Sequence, residues 1–253
     1  MLERQKLKLA AILYKNAFPL YRIMYFNFKK KKDAANLSII KQLLLPGANV
    51  LDIGANIGFY SVQLALQTST GGKVYCFEPD AVNYKHLQKE TKSFKQIELF
   101  QKAVAAENGK LTLYTSDLLN IDHRTYEPES YSGKYDVEKI SIDSFIQNKF
   151  KVDFIKMDIQ GFEMDALIGM EETLKANADL IMLTEFWPYG LQQAGSSAAA
   201  VYDFFTALDF KVFQLVESKL KQVNRGQVIA MKVDFLSDTN VWISRKNLAH
   251  IQI

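Results

Sequence analysis

Two short apolar runs, residues 49–54 (NVLDIG) and 73–78 (KVYCFE), each stop at a turn and hand over to a stretch of helical period. A strand that feeds a helix and then a second strand is a βαβ unit, and the crossover forces the two strands parallel. Residues 57–66 and 81–92 carry the helical spacing, and Pro79 reads as the start of the second helix, where a missing N–H costs little. Further strands fall at residues 97–104, 152–159, 180–186, 211–217 and 241–245, with helices at 38–45, 161–175 and 198–208. The last two strands are separated only by the polar stretch 219–240, with no helix, so they are expected to pair antiparallel. Asn108-Gly109 predicts a tight hairpin turn between 97–104 and 111–115, and residues 117–136, polar and aromatic without period, read as a long functional loop. The fold class is therefore α/β, a doubly wound, mostly parallel sheet.

A chain of 253 residues with 48% hydrophobic content suits one core. One cysteine, Cys76, excludes an internal disulfide framework, and three histidines with no Cys/His cluster give no zinc site; no metal is expected. The net charge of +3 conceals an asymmetry: residues 1–32 carry nine Lys/Arg against one acid, Glu3. The expected division is a basic N-terminal arm or helix over 1–36 and the main domain over 37–253. The arm reads as a solvated, partly helical extension, with contact to an anionic membrane surface as a second reading. Because the basic character is confined there, nucleic acid is not expected as a partner. Residues 10–28 come nearest to a membrane span, but Lys15, Pro19 and Arg22 interrupt them, and no cleavable signal is evident. A cytoplasmic location follows, or a peripheral one at the membrane.

The loop after the first strand, Asp52-Ile53-Gly54-Ala55-Asn56-Ile57-Gly58, carries the ligand chemistry. Open α/β sheets bind ligands outside the carboxyl ends of their strands. A pyrophosphate loop needs G-x-G-x-x-G, and Asn56 stands where the middle glycine should be. Asp52 would repel phosphate but attracts a cationic ligand such as a sulfonium with its ammonium group. Glu78, twenty residues after Gly58 at the end of the second strand, can accept both hydroxyls of a ribose. An NAD-dependent oxidoreductase is therefore disfavoured, and a nucleoside without a diphosphate is expected.

LDIGANIGFYS (51–61), YCFEPD (75–80), AVAAENGKLTLY (103–114), ISIDSF (140–145) and FIKMDIQGFEMDALIGM (154–170) together resemble the FkbM-type methyltransferases over residues 37–246. The last block is the most diagnostic: it keeps Lys156, Asp158, Gly161, Glu163 and Gly169 but has Gln160 where the family usually has Glu. The resemblance implies a class I, Rossmann-like methyltransferase of seven strands with an antiparallel last strand, binding S-adenosyl-L-methionine. It also implies O-methylation of a hydroxyl on a sugar, glycolipid or other small metabolite. By motif position it assigns Asp52, Gly54, Asn56 and Gly58 to the methionine end of the cofactor, Glu78 with Pro79 to the ribose, and Ala103 and Val104 to the adenine. A non-catalytic nucleoside-binding domain of the same fold is the alternative, with Gln160 its one hint.

An alcohol nucleophile needs a proton acceptor. Asp158 and Glu185, at the ends of the strands at 152–159 and 180–186, are the first and second candidates, and His123 in the long loop is a third by residue type. Arg124 in that loop offers a handle for an acidic acceptor group, and Tyr126, Trp187 and Tyr189 offer faces for a sugar. Acceptor specificity is expected in residues 117–136 and 187–197.

Overall fold

The computed structural model describes residues 2–116, 123–128, 131–234 and 238–253. In chain order the elements are α1 (Leu2–Asn16), α2 (Phe18–Lys32), α3 (Ala34–Leu43), β1 (Asn49–Ile53), α4 (Phe59–Thr68), β2 (Lys73–Phe77), α5 (Ala81–Thr91), β3 (Ile97–Phe100), β4 (Ala103–Val104), β5 (Gly109–Thr115) and β6 (Gly133–Ile140). They continue as α6 (Ile142–Ile146), β7 (Phe154–Met157), α7 (Glu163–Ile168), α8 (Glu171–Ala176), β8 (Ile181–Phe186), α9 (Pro188–Gln193), α10 (Ala198–Ala207), β9 (Lys211–Val216), β10 (Lys219–Gln222), α11 (Arg225–Ile229) and β11 (Thr239–Ser244).

The main sheet has the order β10-β9-β11-β8-β7-β1-β2-β3, with β11 antiparallel between β8 and β9. Alternate residues of the central strands feed two cores. Leu51, Ile53, Phe77, Ile155 and Met157 face one, against α7, α8 and α10. Val50, Val74, Cys76 and Phe154 face the other, against α3, α4 and α5. Burial on both faces is what keeps a parallel sheet dry, at about 1.5–3 kcal/mol for each large apolar side chain.

The structure departs from the sequence reading at four places. The expected strand at 97–104 breaks: β3 stays in the main sheet, whereas β4 joins a small second sheet of order β4-β6-β5. The expected hairpin at Asn108-Gly109 does not form, because β5 pairs antiparallel with β6, whose first residues fall in the stretch read as loop. The expected helix at 161–175 is split into α7 and α8. At the split sits Gly169, where a Cβ would lie 2.0 Å from the carbonyl oxygen of Ala105, so the chain leaving β4 presses against the break. The polar stretch after β9 adds an eighth strand, β10, through a turn in which Glu217 and Ser218 both have positive φ, a conformation signalled by Asn-Gly rather than Glu-Ser. It also holds a short helix where none was expected, α11, started by the capping box of Asn224 and Gln227.

The N-terminal helices are not a free extension. Tyr21 is buried, Phe18 stacks on His86, Tyr14 donates to Asn83, and the Arg22 guanidinium grips Glu90 with two bonds. Among the described residues no helix is long and apolar enough to cross a membrane.

Candidate functional site

A cleft of about 1190 Å³, counting the space open to solvent, lies at the carboxyl ends of β1, β2, β7 and β8. Its floor is the turn after β1. Gly54 has φ +76°, and a Cβ there would sit 1.9 Å from the carbonyl oxygen of Asp158, so no other residue fits between the ends of β1 and β7. The N–H groups of Gly54 and Ala55 both donate to the carbonyl of Phe77, tying the turn to β2. Asn56 also has positive φ, and its side chain accepts from the N–H of Ile57.

Glu78 fastens this turn to the next strand end. Its two carboxyl oxygens accept from the backbone N–H groups of Asn56 (2.8 Å) and Asp80 (2.9 Å). A carboxylate has about four acceptor positions, so two remain. Burial, reinforced by the Asp80 charge, pushes its carboxyl up to about 8 against those two bonds. Asp80, rather than Pro79, starts α5: its side chain caps the helix by accepting from Val82 and Asn83. Pro79, Ala103 and Val104 line the cleft beside Glu78, with Phe77 and Leu113.

Asp52 and Gly58 fall elsewhere than expected. Gly58 begins α4 and does not reach the cleft wall; Asp52 is fully buried beneath the floor. The Asp52 carboxylate accepts from Ser61 (2.6 Å) and stands 3.7 Å from the ammonium of Lys156, its register partner on β7. Lys156 also donates to the carbonyl of Gly54 (3.1 Å), lies 3.8 Å from Asp158 and faces the Tyr60 ring. Burial works against its charge, but Asp158, Asp52, Glu185 and Asp33 outweigh it and raise its pKa. Asp52 thus compensates a buried cation under the loop.

Asp158 and Glu185 do come together. Gln160, in a left-handed backbone conformation, donates through Nε2 to both, at 2.9 Å and 3.0 Å. Burial would raise Asp158, but Lys156, Lys29 and the bonds from Gln160 and Glu185 hold it below the usual carboxylate range. Burial and then the charge of Asp158 push Glu185 well above the ordinary carboxyl value, so the proton of the pair favours Glu185 over Asp158. The Asp158 side chain is 31% exposed to the cleft.

His123 is held on the opposite side. Its Nδ1 accepts from the N–H of Ser116, and its Nε2 is 3.7 Å from Asp80, which also accepts from the Tyr135 hydroxyl. His123 lines the same cleft as Asp158, through the β2–α5 side of the wall where Asp80 stands. Arg124 is buried over the rings of Tyr126 and Trp187 and does not line the cleft, nor does any residue of 187–197. Of the long loop, residues 117–122 and 129–130 lie outside the described residues, while His123 and Thr125 line the cleft.

The remaining wall was missed by motif reading. It is α2, which contributes Tyr25, Phe28, Lys29 and Lys32. Lys29 pairs with Asp33 and faces the Tyr60 ring; Lys32 is 3.4 Å from Asp238. The available signal was a helix with apolar residues on both faces, which a solvated arm does not need. Among the described residues, no group of three or more His, Cys, Asp or Glu side chains is placed to hold a metal ion.

Residues 52–212 match the model of the family described as Methyltransferase FkbM domain. The chain is 22% identical over 200 residues to the 2-O-methyltransferase NoeI of Sinorhizobium fredii, covering 71% of this chain and 81% of that protein. Among solved structures it resembles a Clostridium thermocellum protein assigned as an rRNA methylase, with TM-score 0.51, 11% identity, and coverage of 83% and 93% of the two chains. It also matches an S-adenosylmethionine-dependent methyltransferase from Aquifex aeolicus, with TM-score 0.45, 16% identity, and coverage of 81% and 86%.

Proposed function

This chain belongs to the FkbM methyltransferase family, and on that premise we propose that it uses S-adenosylmethionine to methylate a hydroxyl of a sugar, glycolipid or other small metabolite. The observation that carries the cofactor reading is Glu78: a buried carboxyl at the end of β2 with two acceptor positions left after its backbone bonds, matched to the two hydroxyls of a ribose. Ala103, Val104, Phe77 and Leu113 offer an apolar slot for a purine beside it, and His123 with Pro79 closes that side. Gly54 and Asn56 shape the floor for the methionine portion. When bound, S-adenosylmethionine supplies a methyl carbon activated by an adjacent sulfonium.

The acceptor hydroxyl is assigned to the Asp158–Gln160–Glu185 side. The carboxylate of Asp158, held below the usual range, accepts the hydroxyl hydrogen and aims the hydroxyl lone pair at the methyl carbon. Although Asp158 is a weak base, the hydroxyl proton becomes strongly acidic as the new C–O bond forms, so a weak acceptor suffices. Gln160, donating to Asp158 and Glu185 together, fixes the orientation of that carboxylate. The name of the relative, a 2-O-methyltransferase, points to the same acceptor atom.

Calorimetric titration with S-adenosylmethionine, followed by methyl transfer to a panel of sugars and glycolipids, tests the reading. Asp158→Asn is expected to lose at least a hundredfold in turnover while cofactor affinity stays within about threefold, the pattern of a group acting in the transition state. Full turnover in that variant removes Asp158 from the chemistry; no cofactor binding by the wild-type protein removes the whole proposal.

A further inference from the structure

The outward face of α2 is apolar where a helix packed on a soluble body should be polar. Its inner face is already spent on the body through Phe18, Tyr21, Tyr25 and Lys29. On the opposite face Leu20, Ile23, Met24 and Phe28, spaced three and four residues apart, are between 49% and 60% exposed. Leu9 and Ile12 of α1 are exposed as well. A single exposed leucine needs no explanation, but a continuous row does. The same row ends on the exposed Lys30 and Lys31, and the chain from residue 4 to residue 32 contains no Asp or Glu.

We infer that α2, with the adjoining part of α1, is a docking face for an anionic lipid bilayer. The apolar row sinks into the boundary between headgroups and acyl chains, and the lysines at its end meet the phosphates. A polyanion such as RNA matches the lysines but gains nothing from Leu20, Ile23 and Met24, so the combination of row and charge selects a membrane. The position of Phe28 gives the docking a direction: it belongs to the exposed row and also lines the cleft. A bilayer seated on this face therefore lies at the cleft mouth, and an acceptor anchored by an acyl or polyprenyl chain can enter without leaving the membrane. This last step rests on the acceptor reading above; the docking itself does not.

The test is co-sedimentation of the full chain with vesicles of phosphatidylcholine alone and of phosphatidylcholine with phosphatidylglycerol. Binding is expected to the anionic vesicles, to weaken with salt, and to fall at least tenfold in the triple variant Leu20→Ser, Ile23→Ser, Met24→Ser. Lys30→Gln with Lys31→Gln is expected to lose about thirtyfold, about five- to sixfold for each lysine charge removed from the headgroups. Thermal melting and calorimetric cofactor binding, unchanged in both variants, show that the loss is not unfolding and keep a failure here distinct from a failure of the cofactor reading. Absence of binding to anionic vesicles, or equal binding by the triple variant, overturns the inference. So does a concentration-dependent dimer abolished by the triple variant, or a tighter grip on poly-uridine than on vesicles.

Discussion

Protonation of Glu78 and occupation of the ribose position compete for the same carboxyl group, and this makes cofactor affinity dependent on pH in a calculable way. With its carboxyl pushed up to about 8, Glu78 is about 1% ionised at pH 6. If only the ionised form accepts the ribose hydroxyls, apparent affinity falls by that fraction, about tenfold per pH unit below 8 and about a hundredfold at pH 6. Glu78→Gln cannot ionise. Its amide nitrogen must also replace one oxygen that now accepts from Asn56 or Asp80, which leaves one buried N–H opposed by a donor. At pH 9 the variant should bind about thirtyfold more weakly, the loss of one charge-assisted hydrogen bond of about 2 kcal/mol. Because its affinity is flat with pH, the two curves should cross near pH 6.5, where Glu78 is about 3% ionised. The assay is calorimetry with S-adenosylhomocysteine from pH 6 to pH 9, in two buffers of different ionisation enthalpy so that proton release is read directly. Wild-type and variant curves of equal slope, or no proton released by the wild-type protein at pH 7, would refute the reasoning.

Gly54→Ala forces a Cβ to within 1.9 Å of the Asp158 carbonyl at a left-handed φ; adding about 1–2 kcal/mol for the backbone and 1–3 for the overlap gives about 3 kcal/mol, a Tm lower by about 6–12 °C in scanning calorimetry. Glu163, buried with one oxygen bonded only to the N–H of Ile159, is pushed up to about 7 by burial, so the folded state binds its proton more tightly than the unfolded chain does. That stability is present below the ordinary value of 4.5 and is lost as pH rises through 7. Glu163→Gln should therefore flatten the melting profile and stabilise the protein at pH 8 by on the order of 3 kcal/mol, and a variant melting like wild type at pH 8 contradicts the assignment. Gln160→Glu replaces the donor shared by Asp158 and Glu185 with a third acid; turnover at pH 8 should drop about tenfold or more and recover partly toward pH 6 as the added carboxyl protonates, read from a pH–rate profile.

The elements that sequence made legible are those whose signals are local. Gly54, Asn56 and Glu78 owe their places to a turn and a strand end, and the 3.6-residue and two-residue periods locate the helices and strands around them. What was not legible depended on partners far along the chain. Asp52 looked like a ligand because its neighbours in sequence face the cleft, yet its own side chain points beneath the floor toward Lys156, 104 residues away. His123 had the right residue type, and what sequence could not show is its tie to Asp80, 43 residues earlier, and to the N–H of Ser116. Asn108-Gly109 announced a hairpin whose partner strand, β6, lies beyond the loop rather than before it. The contribution of α2 was hidden because the run Lys29–Lys32 and the absence of acids mark the segment as a charged arm, although apolar residues outnumber charged ones and lie on both of its faces.

That contribution gives the cleft two independent authors. The floor and the Glu78 side come from the segment that matches the family, residues 52–212, whereas the wall bearing Tyr25, Phe28, Lys29 and Lys32 is written upstream of it. The helix is anchored by the Arg22–Glu90 pair, by the buried Tyr21 and by ring contacts to His86 and Phe59, away from the backbone bonds that tie the β1 turn to β2. Grafting a relative's helix in place of residues 18–32 would thus rewrite one wall of the cleft while leaving the β1–β2 floor in its own sequence.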